Sequence, residues 1–158
     1  MLHENPDSES WRRHVRERVL VTLSVMARPD VARALSGLSE AAAGFQLCRF
    51  WFESVFEPGL WTIDGLRGDR DKERIEAFWR AFDEEERSYL VRFNRFVELR
   101  LEMTPEEVGQ KGRLDPDRWA GIVRDARNTL ELIEPGFSAT RKRIETVLKL
   151  KPANRGQP

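Results

Sequence analysis

The chain has 158 residues, with 27 basic against 27 acidic side chains and a formal net charge of zero. That balance provides no global field to attract nucleic acid or an anionic membrane, so either role would need a local patch. The single cysteine excludes an intrachain disulfide and a cysteine-built metal site; no apolar run approaches the roughly 18 residues of a membrane span, and the reading is a soluble, cytoplasmic protein.

Charged residues at 34% and apolar ones at 40% suit a helical protein with solvated outer faces and one core. We expect an all-α fold: an irregular single-domain bundle of about five main helices around a central apolar helix, Ser39 to Phe56. Residues 1–9 read as a flexible lead-in, 10–150 as the helical domain, and 151–158 as a frayed tail.

The first helix is predicted over Ser10 to Ala27, with Trp11, Val15, Val19, Leu23 and Met26 on one stripe and Arg12, Arg13, Arg16 and Glu17 opposite. Its second half is ambiguous, because Val19, Val21, Leu23 and Val25 alternate as a strand would. A lone strand has nothing to pair with, since no other segment shows a period of two, so a helix is preferred. Arg28-Pro29 stops it, and Asp30 to Leu38 forms a short helix with Val31, Leu35 and Leu38 inward.

Ser39 caps the next element, which carries Phe45, Leu47, Cys48, Trp51, Phe52, Val55 and Phe56 and ends at Pro58-Gly59. Its apolar arc is wider than a surface helix needs, which is why the bundle is expected to form around it. The linker Leu60 to Asp69 mixes Trp61, Ile63 and Leu66 with two glycines, as in an ordered loop pinned to the core.

From Asp71, Ile75, Phe78, Trp79 and Phe82 give an i, i+3, i+4, i+7 stripe. Asp83 followed by Glu84, Glu85 and Glu86 marks the start of a helix running to Met103, with Tyr89, Leu90, Phe93, Phe96, Val97 and Leu101 inward. A short helix follows Thr104-Pro105 and stops at Gly109 to Gly112. Asp115-Pro116 opens a longer one with Trp119, Ile122, Val123, Ala126, Leu130 and Ile133 inward, ended by Pro135-Gly136. Ser138 is the expected cap of the last helix, whose Ile144, Val147 and Leu148 face the core.

No motif identifies a chemistry, and the balance of features favours a protein without enzymatic activity. Of the two histidines, neither follows Glu at the spacing of a helical di-iron site, so no metal or cofactor is expected. Cys48 lacks an activating histidine and reads as a small core residue. Three functions are weighed. The leading one is a protein–protein interaction or dimerisation module, suggested by more large aromatics than a small core encloses, notably Trp61, Trp79 and Trp119. The second is a small-molecule pocket between the central helix and the Trp61 to Asp69 loop, using Arg49, Glu53, Trp51, Trp61 and Asp64. The third is nucleic-acid binding through a basic C-terminal patch of Arg141, Lys142, Arg143, Lys149 and Lys151.

Overall fold

The computed structural model describes residues 9–37, 39–56, 58, 69–101 and 116–148. Among these residues the fold is all-α, with seven helices and no strand. They are α1 (Glu9–Met26), α2 (Pro29–Ser36), α3 (Glu40–Phe50), α4 (Asp69–Trp79), α5 (Glu84–Leu101), α6 (Pro116–Ile133) and α7 (Arg141–Leu148). The chain continues from α3 through a π-helical turn, Trp51–Val55. Residues 1–8 of the expected lead-in, the Leu60 to Gly68 loop, the short helix after Thr104 and the expected frayed tail lie outside the described residues, whereas Glu9 belongs to α1.

The ambiguous second half of α1 is helical, and its composition explains why it looked otherwise. Every residue from Val19 to Met26 is buried, none more than 6% exposed. A helix covered on all sides has no solvent face, so its apolar pattern loses the 3.6-residue period that identifies a surface helix. Its two hydroxyls are satisfied locally: Thr22 Oγ1 donates to Arg18 O at 2.7 Å and Ser24 Oγ to Val21 O at 3.0 Å. At its C-terminal end, the Arg127 guanidinium of α6 donates to Ala27 O at 3.1 Å, satisfying a carbonyl that the finished helix leaves open.

This changes the expected centre. α1 packs against α2, α3, the π turn, α4, α6 and α7, whereas α3 with its turn leaves Gln46, Arg49 and Glu53 at the surface. The aromatic density of Ser39 to Phe56 suggested the middle of the bundle. What the aromatic count misses is that Gln46, Arg49 and Glu53 hold one face of that segment toward water, whereas Val19 to Met26 is buried on every side.

The helix ends follow from local chemistry. Ser39 Oγ accepts from Ala42 N at 3.2 Å, so α3 begins at the expected cap. Asp83 Oδ1 accepts from Glu86 N at 2.8 Å while Glu86 Oε1 accepts from Asp83 N at 3.1 Å, a reciprocal capping box at the start of α5. Gly37 closes α2 at φ 73°, with its N–H donating to Arg33 O at 2.9 Å, a backbone conformation that disfavours other side chains. For α7 the cap is Thr140, not Ser138: its Oγ1 accepts from Arg143 N at 3.2 Å. α4 begins at Asp69, two residues before the expected start, so Asp69 belongs to the helix and not to the loop.

The π turn joins the two halves of the core. Phe56 N donates to Trp51 O at 3.0 Å, across one residue more than an α-turn spans. Trp51 stacks on Phe56 at 5.4 Å and meets Phe93 of α5 edge-on at 5.0 Å; Phe56 in turn touches Phe78 and Trp79 of α4 edge-on at 5.6 and 5.8 Å.

One polar cluster ties α1 to α5 and to the residue just beyond α6. Arg16 donates through Nη1 and Nη2 to the two oxygens of Glu86, each at 2.9 Å, and reaches Glu134 at 3.4 Å. The Arg16 hydrogen bonds hold the Glu86 carboxyl below its ordinary value of 4.5, against the opposing effect of burial. A depressed carboxylate stabilises the fold fully above its unfolded value, and that contribution is lost as pH falls through the folded value. Glu86→Gln is therefore expected to cost about 1 kcal/mol at neutral pH, discounted for the part-exposed Arg16. The gap between variant and wild type should close as pH drops below 4.5, which urea titrations across that range will measure.

Candidate functional site

α5 has two apolar faces. Leu90, Phe93 and Val97 are fully buried against α6 and the Trp51 ring. Opposite them, Val91 is 50% exposed, Phe96 36% and Leu99 64%, three of the four large exposed hydrophobic side chains among the described residues. The expected inward position of Phe96 is thus corrected. At 100° per residue Phe96 falls between the two faces, outside the arc of Leu90, Phe93 and Val97, and is left partly exposed.

Arginines are interleaved with this apolar strip. Together Arg87, Arg92 and Arg95 line a shallow depression with Val91, Phe96 and Leu99. A second depression continues from Phe96 and Leu99 over Arg100 to Asp117 and Arg118 at the start of α6. Arg87 is held in place, its Nε shared between the Trp79 and Phe82 carbonyls at 2.9 Å each. Arg92 lies over the Tyr89 ring at 5.6 Å. At the far end Arg100 Nε donates to the buried Asp125 at 2.6 Å, which raises the Arg100 pKa and balances its charge with a carboxylate. Glu98 flanks the strip and accepts from Asn94 Nδ2 at 3.1 Å.

Of the residues proposed for a pocket beside the central helix, Arg49 and Glu53 are brought together, but with each other. They form an i, i+4 ion pair at 3.2 Å with side chains 45% and 60% exposed. Trp51 points away from them into the core, and its Nε1 donates to Asn94 Oδ1 at 2.9 Å. Trp61 and Asp64 lie outside the described residues.

The basic patch is largely matched by acids where it is described. Arg141 pairs with Glu145 at 3.2 Å, and Arg143 pairs with Glu17 while lying over the Phe137 ring. Hydrogen bonds from Arg143 hold the Glu17 carboxyl below its ordinary value. Lys142 is exposed, and Lys149 and Lys151 lie outside the described residues. The thiol of Cys48 is fully buried and burial pushes its pKa up, which leaves it without nucleophilic character. Among the described residues no three His, Cys, Asp or Glu side chains gather as metal ligands would, and no helix is long and apolar enough to cross a membrane.

Sequence reasoning left Val91 and Leu99 unassigned, although the signal was present. Eight residues apart, they fall on the opposite side of α5 from Leu90, Phe93 and Val97, which marks a second apolar stripe. Comparison of the chain with protein-family models, with curated proteins and with solved structures gave no match, so the functional reading rests on the geometry of the chain itself.

Proposed function

We propose that this protein is a non-enzymatic interaction module that holds a partner segment along the outer face of α5. The observation that carries the reading is the concentration of exposed Val91, Phe96 and Leu99 on one helix, with Arg92 and Arg95 between them. Covering a half-exposed aliphatic or aromatic side chain is worth roughly 1 kcal/mol, so the three supply a usable apolar contribution. The arginines select the occupant: apolar side chains flanked by carboxylates, as on one face of an acidic amphipathic helix. Nucleic acid is less well supported, because Arg141 and Arg143 are already paired with Glu145 and Glu17.

The test uses two amphipathic helical peptides with the same apolar face, one flanked by Glu and one by Lys. Fluorescence anisotropy should show binding of the acidic peptide, weakened by salt, and a loss of about tenfold or more in the Val91→Glu, Leu99→Glu double variant. Both positions are exposed, so melting of the variant should shift little. Light scattering reads the other occupant: a dimer that the same variant dissociates would make the partner a second copy. A monomer at high concentration that binds neither peptide would sink the proposal.

A further inference from the structure

Independently of the α5 face, the corner where α2 meets α3 keeps an unfilled space. It is a cavity of about 130 Å³ between α1, α2, α3 and α7, walled by Val25, Ala32, Ala43, Leu47 and Leu148. None of these five is more than 5% exposed. The cavity opens beside Gln46 and Phe50, the two described lining residues that are not buried.

Local chemistry builds both walls. Ala43, Gln46, Leu47 and Phe50 fall at i, i+3, i+4 and i+7 of the segment from Ala43 to Phe50, so α3 offers them as one face. The approach of α2 is set by the left-handed Gly37 that closes it and by the Ser39 cap that opens α3. Each of these two helices brings an alanine, Ala32 and Ala43, and side chains of one methyl group leave room that a larger one would occupy. At the mouth the Phe50 ring lies under the Arg18 guanidinium at 5.8 Å. Protein interiors keep few voids larger than a water molecule, and this one is open to solvent on one side.

We infer that this cavity binds a small neutral molecule, a single ring or branched aliphatic body with one hydrogen-bonding group, such as a phenol. Size agrees, since an apolar cavity of about 150 Å³ holds benzene. Charge agrees as well: no ionisable side chain is among the described residues that line it, so an ion would lose its water without gaining a counter-charge. The Gln46 amide is the one polar side chain among those residues, and at the mouth it orients the polar end of the ligand outward.

The experiment is an NMR titration of the full chain that follows the methyl groups of Val25, Leu47 and Leu148. Those of Val91 and Leu99 serve as the reference for adsorption to the exposed α5 face. Phenol should shift the first set saturably, through the field of its ring, and leave the second in place. Benzoate and benzylammonium, which carry a charge on the same ring, should bind at least about tenfold more weakly. Gln46→Leu should weaken phenol by about three- to tenfold and leave toluene unchanged. Ala43→Leu, which fills the cavity, should abolish phenol binding; Ala32→Leu fills it from the other wall, and the melting temperature of each variant reports its folding. The inference is overturned if phenol leaves the three methyl groups unmoved or shifts Val91 and Leu99 equally, or if a charged probe binds as well as phenol. It is overturned too if Gln46→Leu or a folded cavity-filling variant binds phenol like wild type.

Discussion

Trp51→Ala is expected to cost about 3–5 kcal/mol, a large share of the roughly 5–15 kcal/mol that holds a domain of this size together. The indole is fully buried, stacked on Phe56 with 9° between the planes, and set against the edge of Phe93. Removing it leaves a cavity bordered by three segments, and packed neighbours relax only partly into such a space. It also leaves Asn94 Oδ1 without the donor it meets at 2.9 Å. Trp51→Phe separates the two effects, because it keeps most of the ring contact and loses the hydrogen bond; its cost should be nearer 1–3 kcal/mol. Urea midpoints at constant slope measure both. A loss below about 1 kcal/mol for Trp51→Ala would mean that the aromatic cluster does not organise the core.

Gly44→Val should destabilise by about 3 kcal/mol, and Gly44→Ala by about 1–2 kcal/mol. The sign is informative, since glycine inside a helix is ordinarily improved by alanine, by roughly 0.5–1 kcal/mol. Here a Cβ at position 44 would come within 2.6, 2.8 and 2.9 Å of Trp119 Cδ2, Cε2 and Cε3. That ring is 1% exposed and cannot swing aside, so overpacking outweighs the helix-propensity gain. Among the described residues Trp119 Nε1 has no hydrogen-bond partner, and the indole is packed against α3 at Gly44. Gly121 is the control: a Cβ there meets the Arg100 guanidinium at 2.5 Å, the far end of a flexible side chain. Gly121→Ala should therefore be the milder change, with its effect confined to the Arg100–Asp125 pair. Equal losses at the two glycines would contradict this account of how α3 approaches α6.

The local structure was largely legible in the sequence, because it depends on neighbours a few residues away. The stripe of Ile75, Phe78 and Trp79 marked α4, although the helix ends before Phe82; Asp83 with Glu86 marked the start of α5, and Ser39 the start of α3. Cys48 was correctly placed in the core. What could not be read is which apolar face another helix covers. Phe96 and Val97 are adjacent and equally suited to burial, yet only Val97 lies under α6. The same limit applies to Arg49 and Glu53, whose place in an apolar segment made them pocket candidates although they pair with each other and lie open to water. Nor was the π turn visible, since a widened turn has no sequence signature of its own.

The complete enclosure of Val19 to Met26 also bears on synthesis. The Arg127 side chain that covers the end of this segment is 100 residues farther along the chain. At about 5–20 residues per second, the ribosome needs about 5–20 s to supply it. Through that interval the nascent polypeptide displays Val-Leu-Val-Thr-Leu-Ser-Val-Met, rich in β-branched residues, uncharged and free of proline. Such a stretch matches the pattern of cross-β aggregation, so delivery of α6 and α7 also ends a period of vulnerability, and a chaperone that shields the emerging N-terminal segment should raise the yield of folded protein.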